Sequence, residues 1–257
     1  MANIKKLLFD KLKETKNDYL ILRNYDDIKV NQENDIDILV SRNCFKDIYK
    51  ILEKELIQNK FEIRQLPDKT QINFLCQEKF LSLDFHYELT YYGIKFADTN
   101  AIFKNKFLNK DGIFLLKKEY SSLISLINRF LHKRDVKKED LYIVKKSIKK
   151  NDVDFIFQIL KNDLANLLIR ELKKDNINFE YIRIRFLFIL RFSDIKNLIK
   201  EINYRFIFSK EKSLKPKGGF LVLIGTHGAG KTSISESLKK LIDNIGLTSN
   251  VIHSTSR

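Results

Sequence analysis

The chain reads as an α+β domain with a helical extension, followed by the opening of an α/β domain built around a phosphate-binding loop. Three observations carry this. Short strand-like runs interleave with helical stripes over residues 1–97, and residues 98–208 then show helical periodicity without a clear strand. Near the end, Gly225-Thr226-His227-Gly228-Ala229-Gly230-Lys231-Thr232 fits the pattern G-x-x-x-x-G-K-[ST] without a departure. The expected division is 1–97, 98–208, a linker at 209–219, and 220–257.

Ile4, Leu7, Leu8 and Leu12 recur at helical spacing, so Ile4–Lys16 is expected as a helix. Strands follow at YLILR (19–23), DIDILV (35–40), KFEIRQ (60–65), TQINFLC (70–76) and KFLSLDFHYEL (79–89), with a helix over Cys44–Gln58 between the second and third. Alternate side chains of a strand share a face, so Asp35 and Asp37 lie on one side, ~7 Å apart, while Ile36, Ile38 and Val40 face the core. In the last strand Leu81, Leu83 and Phe85 alternate with Ser82, Asp84 and His86, which puts Asp84 on the polar face. Three carboxylates on neighbouring strands suit one or two Mg²⁺ ions. A solvated polar sheet face is the competing reading.

The helical extension is expected at LKKEYSSLISLINRFLHKR, DLYIVKKSIKK, VDFIFQILKNDLANLLIRELKK and Ile182–Ile202. His86 and His132 read either as groups facing an acceptor or as partly exposed polar residues. The linker SKEKSLKPKGG carries one of the two prolines and four lysines. After it, Phe220–Ile224 is an unbroken apolar run of the kind a strand buried on both faces shows. Ile234, Leu238, Leu241, Ile242 and Ile245 recur at helical spacing and Gly246 supplies a stop. In a strand–loop–helix of this type the backbone N–H groups of residues 225–233, through Ser233, cradle phosphate oxygens. Lys231 reaches the β- and γ-phosphates and the Thr232 hydroxyl joins the Mg²⁺ shell.

With 257 residues, 44% of them hydrophobic, the chain has material for one large or two small folded units. A formal charge of +15 points to anionic partners. The lysines are spread over the whole length, however, and no compact basic patch with interleaved aromatics stands out, so a nucleic-acid face is not expected. Cys44 and Cys76 sit in apolar surroundings without metal-ligand spacing, as reduced thiols of a cytoplasmic protein do. The N-terminal MANIKKLLFDKLKET lacks the apolar run of a signal peptide. YIRIRFLFILRF (181–192) is interrupted by Arg183, Arg185 and Arg191 and falls short of the ~20 apolar residues of a membrane span. It is expected as a core helix, with a peripheral membrane helix as the other reading.

Residues 219–257, GFLVLIGTHGAGKTSISESLKKLIDNIGLTSNVIHSTSR, resemble the opening of a nucleoside-monophosphate kinase, most of all thymidylate kinase. That family's loop runs Gly-x-Asp-Gly-[Ala/Ser]-Gly-Lys-[Ser/Thr], which Gly225, Gly228, Ala229, Gly230, Lys231 and Thr232 match, whereas His227 stands where the family has Asp. The resemblance implies bound ATP and Mg²⁺, with the acceptor-binding part of the domain expected beyond Arg257. Asp35, Asp37 and Asp84, following a helix and a strand, resemble the polymerase-β-like nucleotidyltransferases. In that family three acids carry two metal ions, and Arg23-Asn24 occupies the place of its Gly-Gly or Gly-Ser turn. The whole order is similar to fused bacterial proteins described as thymidylate kinases, some from surface-polysaccharide gene clusters. The resemblances imply an ATP-binding phosphotransferase with Lys231 at the γ-phosphate. The alternatives are a Mg²⁺-dependent nucleotidyltransferase using Asp35, Asp37 and Asp84 on a small-molecule or nucleotide acceptor, and a nucleotide-binding module without turnover.

Overall fold

A computed structural model describes residues 2–15, 19–22, 25, 35–58, 60–76, 79–209, 223 and 230–244. It is an α+β fold with a mixed seven-stranded sheet and many helices. The strands are β1 (Tyr19–Ile21), β2 (Asp35–Val40), β3 (Lys60–Gln65), β4 (Lys69–Cys76), β5 (Lys79–His86), the hairpin pair β6 (Thr90–Tyr91) and β7 (Ile94–Lys95), β8 (Lys106–Leu108) and β9 (Phe114–Leu116). Their order across the large sheet is β3-β4-β5-β2-β1-β9-β8. β2 runs parallel to β5 and β1 parallel to β9; the other neighbours are antiparallel.

The period-two pattern sorts side chains to two faces, and each face has its own core. On one side α1 (Ala2–Glu14) and α2 (Arg42–Gln58) lay Leu8, Leu12, Phe45, Ile48 and Leu52 against Ile36, Ile38, Val40, Leu81, Leu83 and Phe85. Cys44 is buried in this core, as expected; the Cys76 side chain lies outside the described residues. On the other side, Leu20, Leu22 and Leu39 join the helical block. That block comprises α3 (Thr99–Lys104), α4 (Lys118–His132), α5 (Lys138–Lys149), α6 (Asp154–Ile159), α7 (Asn162–Leu172), α8 (Phe179–Phe192) and α9 (Ile195–Ser209). Phe130 of α4 meets Phe186 of α8 edge to face at 5.3 Å, fixing the central helices to each other.

The helical stretch departs from expectation in three places. β8 and β9 lie within residues 98–208 and extend the sheet past β1; at three residues each they are too short to show a period. The expected single helix over 153–174 breaks at Leu160, whose backbone is extended, and the one over 182–202 breaks at Asp194, whose carboxylate accepts the Lys196 N–H at 2.9 Å. The helix expected to be core is only half so: Ile182, Phe186, Leu187 and Leu190 are buried, but Ile184, Phe188 and Phe192 are exposed. Among the described residues no helix is long and apolar enough to cross a membrane.

α9 closes over the hairpin. Gly93 takes φ +79, and a Cβ there would come to 3.0 Å from Tyr204 Cδ2, so a side chain here would be strained in its backbone and crowd Tyr204. Tyr204 donates to Asp68 Oδ1 at 3.0 Å, and the Arg205 guanidinium lies 4.0 Å over the Tyr92 ring. Glu201, 4% exposed, accepts from Arg191 Nε at 2.6 Å and from Arg191 Nη2 at 2.8 Å, and also from Arg205. Burial alone would raise its pKa, but the two guanidiniums outweigh that and hold the carboxyl below its ordinary value.

The C-terminal helix, α10 (Lys231–Asn244), forms where the apolar spacing places it. The expected strand 220–224 lies outside the described residues except for Leu223, which is half-buried; residues 225–229, the linker after Ser209, and Arg23-Asn24 also lie outside them.

Glu201→Gln should lower the unfolding free energy at pH 7 by about 1–3 kcal/mol, the range for hydrogen bonds to a charged group. The folded pKa is depressed, so this stabilisation is present above the unfolded carboxylate value and is lost as pH falls through the folded value. Denaturant titrations should therefore find the gap between wild type and variant starting to close as pH falls below the ordinary carboxylate range; a gap that stays constant as pH falls past that range would contradict the pairing.

Candidate functional site

Parallel pairing of β2 with β5 sets Asp37 beside Asp84, Asp35 beside Ser82 and Leu39 beside His86. Since paired residues point the same way, the two acids project side by side from the sheet toward the helical block. Both side chains are nearly closed to water, 9% exposed for Asp37 and 10% for Asp84. Two adjacent carboxylates at such depth call for polar partners from both flanks. Lys69, on β4 and diagonal to Asp84, places Nζ 2.8 Å from Asp84 Oδ2. His86 Nε2 stands 3.1 Å from Asp37 Oδ1.

A polar chain crosses the strands behind them. Gln71 Nε2 donates to Ser82 Oγ at 3.2 Å, and Ser82 Oγ lies 2.9 Å from Asn73 Oδ1 and 3.3 Å from Asp84 Oδ1. One hydroxyl proton serves only one of those acceptors at a time, so Asp84 keeps acceptor capacity.

These acids floor a cleft of 470 Å³, within the ~300–1,000 Å³ typical of small-molecule sites. α4 supplies Ser121, Ser125, Asn128 and His132 as one wall; α9 supplies Tyr204 and Arg205, and the hairpin Thr90 and Tyr92. Among the described residues, four carboxylates line it (Asp35, Asp37, Asp68, Asp84), matched by four cations (Arg64, Lys69, Lys133, Arg205). A polyanion entering a lining of zero net charge therefore gains most if it brings its own counter-ions.

His132 has its ring open to the cleft and packs on Tyr91 at 5.1 Å. The surrounding protein desolvates it and lowers its pKa below 6.5, against a hydrogen bond to the Thr90 backbone that favours the charged form. At neutral pH it is an uncharged imidazole.

Oxygen and nitrogen ligands of Asp37, Asp84 and His86 all lie within 4.8 Å of one another. Ligands sharing an ion at ~2.1 Å stand at most ~4.2 Å apart, so the cluster needs only a small contraction to hold a divalent cation. Two carboxylates with an imidazole suit Mn²⁺ or Zn²⁺ as well as Mg²⁺. The ion would compete with Lys69 for Asp84.

Of the expected carboxylates, the fold brings Asp37 and Asp84 together. Asp35 lines the same cleft but is exposed and outside the ligand cluster. His86 joins instead, from two residues beyond Asp84 on the same face. Nothing in the local sequence marks Lys69, whose register against β5 depends on the β4–β5 pairing. Of the loop residues, Gly230, Lys231, Thr232 and Ser233 are described and none of them lines the cleft; Gly225, Thr226, His227, Gly228 and Ala229 lie outside the described residues.

Asp37→Asn and Asp84→Asn should each weaken Mn²⁺ binding by about tenfold or more, and Asp35→Asn by much less. Lys69→Met, which removes the competing ammonium, should tighten it. Paramagnetic titration of the folded variants checks both directions, and a Lys69→Met protein that binds Mn²⁺ less well would contradict the assignment.

No protein-family model matches this chain, and no curated protein or solved structure is significantly similar to it.

Proposed function

We propose that the cleft is the site of a divalent-cation-dependent nucleotidyl transfer from a nucleoside triphosphate to a hydroxyl of a small acceptor. The observation that carries the reading is the juxtaposition of Asp37 and Asp84 on the floor of a cleft whose formal charges cancel among the described residues. It accords with the resemblance of the helix, strand and Asp-x-Asp order to polymerase-β-like nucleotidyltransferases.

When bound, Mg²⁺ or Mn²⁺ would supply charge neutralisation and polarisation of the phosphate being attacked. Asp37 and Asp84, with His86, would hold it. With Asp84 committed to the cation, Lys69, now 2.8 Å from Asp84 Oδ2, would be available to a phosphate oxygen. Arg64, Lys133 and Arg205 flank the path of the polyphosphate. His132 is uncharged at neutral pH and has one ring N–H directed to Thr90, so its other nitrogen takes the proton from the acceptor hydroxyl. The acceptor oxygen forms its bond to the α-phosphorus as the bond to the bridging oxygen breaks, and pyrophosphate leaves.

A second, separate nucleotide site at the C-terminal loop is favoured by one feature. α10 starts at Lys231, directly after Gly230 at φ +72, a backbone that favours glycine. A helix beginning at the Gly-Lys-Thr of a phosphate loop points its first N–H groups at the bound anion. Thymidylate-kinase-like phosphotransfer from ATP is the chemistry that the resemblance attaches to this half.

Label from an α-labelled nucleoside triphosphate should pass to acceptor in wild type and fall by about 10²-fold or more in Asp37→Ala; equal labelling would exclude the cleft. The rate should rise with pH along a limb whose midpoint is below 6.5, because the His132 pKa is lowered, and His132→Gln should abolish that limb. Lys231→Ala should weaken ATP binding measured by calorimetry while leaving label transfer intact. Loss of transfer with unchanged ATP binding would contradict the separation of the two sites.

A further inference from the structure

Beside the cleft lies a second pocket of 380 Å³, lined by Arg134, Arg183, Arg191 and Arg205 together with Tyr91 and His132, among others, and, among the described residues, by no acidic side chain. It adjoins the cleft, since Tyr92, His132 and Arg205 line both. We propose that this pocket is a phosphate-binding subsite that holds a tetrahedral oxyanion of the substrate while the cleft performs the transfer.

Four guanidiniums facing one cavity repel each other, and an arrangement of this kind calls for anions. Glu201 meets Arg191 and Arg205 without lining the pocket, and each guanidinium retains donors beyond the Nε and Nη2 that it gives to Glu201. Glu180 takes Nη1 of Arg183 at 2.8 Å. The Arg183 side chain is only 13% exposed, and its Nε is buried with no hydrogen-bond partner among the described residues. A buried, unpaired guanidinium N–H is costly unless a ligand satisfies it. Arg134 makes no ion pair among the described residues and sits at φ +59, a left-handed backbone that costs a non-glycine residue free energy and here places the fourth guanidinium at the pocket. Among the described residues, four arginines against two carboxylates leave an excess charge of +2, which matches a phosphate dianion. Guanidinium forks recognise phosphate oxygens in pairs, which a chloride ion cannot exploit.

The role as a subsite rests on the transfer reading; the anion binding does not, because it requires neither metal nor turnover. Two sources supply the same chemistry, the phosphates of the nucleotide and a phosphate ester on the acceptor.

Calorimetric titration with inorganic phosphate, at ionic strength held constant with sodium chloride, tests the site. Wild type should bind phosphate, and Arg134→Gln and Arg183→Gln should each weaken it by about tenfold, whereas Asp37→Asn should leave it unchanged. Arg134 is exposed, so its variant remains informative should Arg183→Gln not fold. A parallel loss of metal-free ATP affinity in these variants would assign the pocket to the nucleotide's phosphates, and unchanged ATP affinity would assign it to the acceptor's. Phosphate binding that is absent in wild type, or equal in wild type and Arg134→Gln, overturns the proposal.

Discussion

Parallel pairing of β2 with β5 forces two carboxylates, Asp37 and Asp84, into adjacent and nearly buried positions, and much of the polar architecture answers that constraint. Like charges whose oxygens lie within 4.8 Å of each other repel when both are ionised. Lys69 and His86 offset this, one from each flank. Their pairing is a resting arrangement that a divalent cation can replace, because a small hard ion satisfies two carboxylates more directly than a long flexible ammonium does. Groups that stabilise the resting fold thus stand beside the proposed cation site.

The hydrophobic pattern makes this possible. Because the sheet is covered on both faces, a polar stripe on one face has to be roofed without being filled. The helical block achieves that by packing on Leu20, Leu22 and Leu39 and leaving the neighbouring acids to the cleft. α9 holds the far rim through Tyr204 on Asp68 and through the close approach to Gly93. Glu201 fixes Arg191 and Arg205 in place, so the same helix that closes the cleft also organises the arginine pocket beside it.

Local sequence carried the elements well where side chains alternate strictly. β2 and β5 were legible because Ile36, Ile38, Leu81, Leu83 and Phe85 leave the acids on the opposite face. β8 and β9 were not, since three residues hold too little pattern and their place beside β1 depends on long-range pairing. The same limit applies to the site. Asp37 and Asp84 were visible as a same-face pair in prospect, but the demotion of Asp35 follows from its position at the exposed start of β2. Lys69 and the four arginines come from segments far apart in sequence, from β4, the end of α4, α8 and α9, and only packing brings them together.

The C-terminal loop motif remains the most specific pattern in the sequence, and α10 begins where that motif requires a helix. The cleft is the part whose geometry is on view, and the central claim is that Asp37 and Asp84 share a cation beneath a nucleotide's phosphates. Anomalous diffraction from crystals grown with Mn²⁺ and a non-hydrolysable nucleoside triphosphate tests it most directly. A manganese peak is expected about 2 Å from carboxylate oxygens of both Asp37 and Asp84, with Lys69 turned away from Asp84 and a phosphate against the ion. Manganese bound only elsewhere, with Lys69 still on Asp84, would contradict it.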